Sequence, residues 1–170
     1  LTGNMIPARG YIVRAPSNYP VSSAPPITFS ATFTGIPNSG TITVPVSAGA
    51  TSMNLLGNPY PSALSANAFL VDPANAATVG GTIYLWTHNT PIDASYQYTG
   101  SDYAVYTYLG GTGTSAATNP GLNTNIPNGK IASGQGFFIK GLVNGTATFK
   151  NSMRLAGNND QFFRLNAQQT

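Results

Sequence analysis

The sequence predicts an all-β fold: an antiparallel β-sandwich of jelly-roll-like character, with at most one short helix near residues 66–70. Three observations carry this expectation. Charged residues make up 6% of the chain and Glu is absent. The exposed faces of amphipathic helices lean on Glu, Lys and Arg, so long helices are hard to write in this alphabet. Thr, Tyr, Val, Ile and Phe favour strands, while 19 Gly and 13 Pro supply turns. Several segments also alternate apolar and polar residues with a period of two, the signature of a half-buried strand. At 170 residues and 41% hydrophobic content the chain suffices for one core, and a single module over 1–170 is expected.

Taken in order, Ile6-Pro7 opens a turn, and Gly10-Tyr11-Ile12-Val13-Arg14 reads as a strand. Residues 17–26 carry three prolines and read as a loop. In residues 27–34, Ile27, Phe29, Ala31 and Phe33 alternate with Thr28, Ser30, Thr32 and Thr34. The Pro37-Asn38-Ser39-Gly40 turn should return this strand into 41–46, making a hairpin. Residues 52–57 form a short strand that Asn58-Pro59-Tyr60-Pro61 breaks. Ser65 is placed to cap a helical turn over 66–70, because its hydroxyl can accept an otherwise unpaired backbone N–H.

Strands follow at 81–88, 96–98 and 102–109, then a polar loop over 115–129. Residues 131–140 return to strand, and Val143-Asn144-Gly145 turns into a partner strand over 146–153. A last strand is expected over 161–165. One internal similarity stands out. Residues 4–14 align without gaps to 130–140, matching Ala8-Arg9-Gly10-Tyr11 to Gly134-Gln135-Gly136-Phe137, which predicts two structurally equivalent strands.

The net charge is +3, and Arg9, Arg14, Lys130, Lys140, Lys150, Arg154 and Arg164 are dispersed. Binding a phosphate backbone needs clustered cations, so nucleic acid is not an expected partner. There are no cysteines, which excludes disulfides, thiolate metal sites and cysteine nucleophiles. No apolar run approaches the length of a membrane span. The low charge and the Asn, Thr and Gly content lean towards an extracellular setting. The start at Leu1-Thr2-Gly3, without a leader, suggests a piece of a longer polypeptide.

Catalytic constellations are sparse. The acids are Asp72, Asp93, Asp102 and Asp160, and Asp72 and Asp160 sit where turns use Asp. His88 is the single histidine, so any Ser-His-Asp triad would have to use it, and no Gly-x-Ser-x-Gly elbow is present. No cofactor is expected. A Ca²⁺ held by Asp102 or Asp160 with backbone carbonyls is the one metal reading the residues suggest. Gly110-Gly111-Thr112-Gly113 lacks the Lys and the following helix of a phosphate loop, and reads as a hairpin turn.

The aromatic residues Tyr84, Trp86, Tyr96, Tyr98, Tyr103, Tyr106 and Tyr108 concentrate in one third of the chain. Tyr84, Trp86 and His88 share one strand face, and Tyr106 and Tyr108 share another. Tyr84, Trp86, His88, Tyr96, Tyr98, Tyr106 and Tyr108 are therefore the candidate ligand-binding residues. Sugar rings stack on flat exposed aromatics, and Tyr and Trp are also enriched at protein contacts. The bland alternative is that these rings are the sandwich core. Both faces of the strands carry large apolar side chains, so the pattern alone leaves Trp86 facing in or out.

Leu55-Leu56-Gly57-Asn58-Pro59-Tyr60-Pro61-Ser62-Ala63 resembles the "GNPYPS" region of large secreted and cell-surface proteins of the Bacteroidetes. Those proteins leave the cell by the type IX system, and the region lies upstream of a C-terminal sorting domain. Matching segments follow in order: Tyr84-Leu85-Trp86-Thr87-His88-Asn89-Thr90, Asp102-Tyr103-Ala104-Val105-Tyr106, Ile131-Ala132-Ser133-Gly134-Gln135-Gly136-Phe137-Phe138, Asn151-Ser152-Met153-Arg154, and Gly157-Asn158-Asn159-Asp160-Gln161-Phe162-Phe163-Arg164. The resemblance implies a surface location, membership of a multidomain polypeptide and no catalytic activity. The expected role is an extracellular structural or adhesive module. It would contact neighbouring domains or its own copies through sheet edges or low-charge faces. The alternative is a carbohydrate-binding module whose partner is a polysaccharide.

Overall fold

The computed structural model describes residues 3–13, 32, 34–49, 52–87, 102–113 and 126–161. Ten strands lie in these residues. They are β1 (Ile42–Val46), β2 (Met53–Gly57), β3 (Ala63–Ser65), β4 (Val79–Trp86), β5 (Tyr103–Thr107), β6 (Gly110–Thr112), β7 (Lys130–Ile131), β8 (Gly136–Gly141), β9 (Gly145–Phe149) and β10 (Arg154–Leu155). The helix α1 spans Ala66–Leu70, and a 3-10 turn spans Asn151–Met153. All paired strands are antiparallel. They form a five-stranded sheet in the order β2-β8-β4-β5-β6, a three-stranded sheet β10-β3-β7, and the pair β1-β9.

The all-β expectation holds, and so does the helix. The Ser65 hydroxyl accepts from Ala68 N–H at 3.1 Å, and α1 buries Ala66, Phe69 and Leu70. Three rings join the layers. Phe137 from β8 and Phe149 from β9 both meet Phe69 of α1, at centroid separations of 5.7 and 4.9 Å. Leu56, Ile83, Leu85, Ile139 and Tyr106 complete the inner face of the large sheet, opposite Val44, Val46 and Ala147. Gly80 and Gly81 lie in β4 between Val79 and Ile83, where the register with β8 shifts, as glycine permits at a bulge.

Several pairings differ from the expectation. The 146–153 segment does not pair with 131–140. β9 pairs with β1, and the chain crosses from one layer to the other through Leu142–Asn144. The crossing places Phe149 opposite Phe137, so both inner faces reach one core. The predicted 131–140 strand is two strands in different sheets, β7 and β8, separated by a turn that Gln135 N–H closes onto Ala132 C=O. Of the predicted 27–34 strand, only Thr32 and Thr34 are described, and neither is in a strand. The expected strand at 96–98 lies outside the described residues, and of the one expected over 161–165 only Gln161 is described, in no strand.

The internal similarity has a structural counterpart. Arg9 N–H bonds to Ile6 C=O at 3.2 Å, and Gln135 N–H bonds to Ala132 C=O at 3.0 Å. The aligned residues Ala8 and Gly134 both have left-handed φ, 64° and 70°. Both turns feed β2, from opposite edges. Gly10 N–H bonds to Leu55 C=O, while Gly136 pairs with Gly57. The likeness ends there, since residues 11–13 form no strand. Gly10 has no room for a Cβ, because Leu55 and the Leu56 carbonyl occupy the space.

Side-chain amides close much of the polar accounting. Asn58 is buried. Its Nδ2 donates to the carbonyls of Ser62, Ile131 and Ala132 at 2.9, 3.0 and 3.1 Å, and its Oδ1 accepts from Tyr60 N–H. Tyr60 is buried beside it, donates its hydroxyl to Gly40 C=O, and lies 5.4 Å beneath the Arg154 guanidinium. Burial pushes the Tyr60 phenol up, and the Arg154 charge partly opposes this. Asn75 is also buried, and its amide pairs with both Thr148 N–H and Thr148 C=O, as a strand residue would. Thr78 Oγ1 donates to Thr146 C=O on the same edge of β9. Asn54 treats Ser47 N–H and C=O in the same way.

The Lys150 ammonium sits 2.8 Å from both oxygens of Asp72, which also accepts from Ala74 N–H. The Lys150 bond holds the Asp72 carboxyl below the ordinary carboxylate range, against partial burial. A carboxyl depressed in the folded state stabilises above its unfolded pKa and loses that contribution as pH falls. Asp72→Asn should therefore cost about 0.5–1 kcal/mol at neutral pH. Urea titrations should show the difference from the parent vanishing below about pH 4. At Asn58, Asn58→Asp should destabilise more than Asn58→Ala, although its shape is conserved. The aspartate sets an acceptor against three carbonyl oxygens. Each polar group left buried without a partner costs about 1–3 kcal/mol. Equal midpoints for the two variants would contradict this assignment.

Candidate functional site

A strand alternates its side chains, so the inner row Ile83 and Leu85 forces Tyr84 and Trp86 onto the outer face of the five-stranded sheet. The register carries that face across the sheet. Leu55 lies beside Phe138, Phe138 beside Tyr84, and Tyr84 beside Val105. Trp86 lies beside Tyr103. A face that a soluble sandwich usually makes polar is therefore apolar and aromatic. The Tyr103 and Phe138 rings meet edge to face, with centroids 5.8 Å apart and planes at 79°. Met53, Tyr84, Tyr103 and Phe138 line a shallow cleft of about 180 Å³.

The sequence candidates separate. Tyr84 lines the cleft. Trp86 shares its face but is half-buried, with its indole nitrogen shielded from solvent. Tyr106 does not belong to a ligand surface. Parity along β5 turns it inward with Ala104 into the core, where its hydroxyl donates to Asn67 Oδ1 at 2.9 Å. It packs on Gly129, whose φ of 83° and lack of space both require glycine. Nor do Tyr106 and Tyr108 share a strand face: Tyr108 is in the turn after β5, exposed to solvent. His88, Tyr96 and Tyr98 lie outside the described residues.

Sequence reasoning missed Met53 and Phe138, and left Tyr103 out of the candidate set. A signal existed for Phe138. Adjacent Phe137 and Phe138 in one strand must face opposite ways, so whichever of them packs the core, the other puts a ring on the second face.

Asp102 is wholly buried immediately before β5, where its backbone carbonyl accepts from Thr87 N–H and Thr87 Oγ1. Asp160 is exposed beyond β10. No group of three or more His, Asp or Glu side chains forms among the described residues, so neither Ca²⁺ candidate gains a carboxylate cluster. No helix among them is long and apolar enough to cross a membrane. Burial pushes the Tyr103 phenol up, and the nearby Asp102 charge adds to the effect.

The chain belongs to a family described as Domain of unknown function (DUF8693), whose model matches residues 1–170. No curated protein and no solved structure matches it.

The Tyr103 shift has a measurable consequence. A phenol whose pKa is raised by folding stabilises fully below the unfolded value, and the contribution is lost as pH rises through the folded one. Stability should fall as pH climbs past about 10, the ordinary tyrosine value. Tyr103→Phe should lessen that alkaline loss while leaving the neutral-pH midpoint nearly unchanged. A parallel loss in both proteins would show that Tyr103 ionises as freely folded as unfolded.

Proposed function

We propose that this chain is a non-catalytic structural or adhesive module of a larger extracellular or cell-surface protein, and that it works through the outer face of its five-stranded sheet. One observation carries the reading. The cleft on that face is bounded by Met53, Tyr84, Tyr103 and Phe138, with thioether and ring carbon where a sugar site would place amides and carboxylates. Apolar surface of this kind suits contact with another polypeptide. The resemblance to surface proteins exported by the type IX system supports the setting.

The face, rather than an edge, is the contact. Asn75 and Thr78 occupy the outer edge of β9, and the Ala8–Gly10 segment bridges the outer edge of β2. Pro45 interrupts β1 as a donor. These devices blunt strand addition at β1, β2 and β9. With charged residues at 6%, a face can be covered while few ions lose water.

The test is a pair of titrations followed by NMR of the Met53 methyl group and of the Tyr84 and Tyr103 rings. Benzene and indole should shift the Met53, Tyr84 and Tyr103 signals, while a panel of soluble polysaccharides leaves them in place. Shifts produced by a polysaccharide alone would make the chain a carbohydrate-binding module instead. Silence towards the apolar probes would remove the contact-face reading.

A further inference from the structure

The β5–β6 hairpin carries an anomaly. Thr107 pairs with Gly110, so the loop consists of Tyr108 and Leu109 alone. Two-residue hairpin loops ordinarily hold Asn, Gly or Asp, whose backbones accept the turn and whose side chains suit water. Here Leu109 is 95% exposed and Tyr108 62% exposed. Ile126 is also exposed, next to Pro127, whose carbonyl packs on Gly111 of β6. The hairpin thus ends in an apolar knob.

We propose that this knob is the occupant of the Met53/Tyr84/Tyr103/Phe138 cleft of a second copy of the chain. The inference rests on the contact-face reading and names its partner. Volume favours it: an apolar cavity of about 150 Å³ holds benzene, and this cleft offers about 180 Å³, enough for the Leu109 side chain. Charge favours it, since neither the knob nor the four residues lining the cleft carry an ionised group, and Lys140, beside Met53 on the same face, is exposed and can keep its ammonium in water. Geometry makes it intermolecular. Tyr103 opens β5 and the knob follows Thr107 at its other end, roughly 13 Å along the same strand. The knob of one copy therefore seats in the cleft of the next. Such a contact uses two different patches, so it propagates from copy to copy unless the rotation closes a ring.

The chain has no cysteine, which makes the test direct. Met53→Cys and Leu109→Cys single variants, mixed and oxidised, should crosslink to each other well above a control pairing of Met53→Cys with Asn159→Cys. The double variant Met53→Cys/Leu109→Cys should give a ladder rather than a single dimer band. Wild-type sedimentation should be concentration-dependent, and Leu109→Ser should weaken association roughly tenfold or more while near-ultraviolet circular dichroism stays unchanged. Crosslinking no better than the control, with a wild type monomeric at millimolar concentration, overturns the proposal. If benzene and indole still bind in that case, the cleft serves a different polypeptide and the module reading stands. If they do not bind, both readings fall.

Discussion

The Asn58 amide is the interaction on which the rest of this architecture depends. One side chain draws the loop after β2, the carbonyls of Ile131 and Ala132 and the backbone of Tyr60 to a single buried point. Tyr60 then reaches Gly40, Ser133 reaches Tyr60 C=O, and Arg154 stacks on the Tyr60 ring. Segments distant in sequence converge because a buried carbonyl must find a donor. With so few ions available, the donor here is an amide. Asn54 and Asn75 repeat the device at sheet edges, each matching a backbone N–H and C=O as a neighbouring strand would. Neutral amides do this without the desolvation cost of buried charge. The Asn-rich, charge-poor composition is thus tied to how the sheets are finished.

β2 is the organising strand of the large sheet. Equivalent left-handed turns at Ala8 and Gly134 deliver chain to its two edges, yet only β8 continues alongside it over five paired residues. Glycine is required where backbones approach closely, at Gly10 against β2 and at Gly129 beneath the Tyr106 hydroxyl. Across the core, Phe69, Phe137 and Phe149 tie the helix, the large sheet and the β1-β9 pair together. Sheet-on-sheet packing of this kind commits each strand's inner face. The outer face is then free to be chosen by other requirements.

That freedom makes the outer face informative. Among the described residues, the core is built from inner-face side chains and does not include Tyr84, Tyr103, Phe138 or Met53. Their presence in one cleft, together with an apolar hairpin tip, is the observation on which the proposed contact face rests. Trp86, the residue most conspicuous in the sequence, sits at the margin of this surface and is half-buried. The adjacency of Met53 and Phe138 to Tyr84 comes from pairing with β8, which is remote in sequence from both β2 and β4.

What the sequence by itself determined is local. Composition excluded long helices, alternation separated Ile83 and Leu85 from Tyr84 and Trp86, and Ser65 marked the start of α1. Tertiary structure alone decided which strands pair. The 146–153 segment left its expected neighbour for β1, Tyr106 turned into the core, and 131–140 divided between two sheets. Alternation has a period of two and says only that a strand has two faces. Which strand lies beside it, and which face meets the core, depends on closing long loops and filling one shared volume. No window of sequence contains that information.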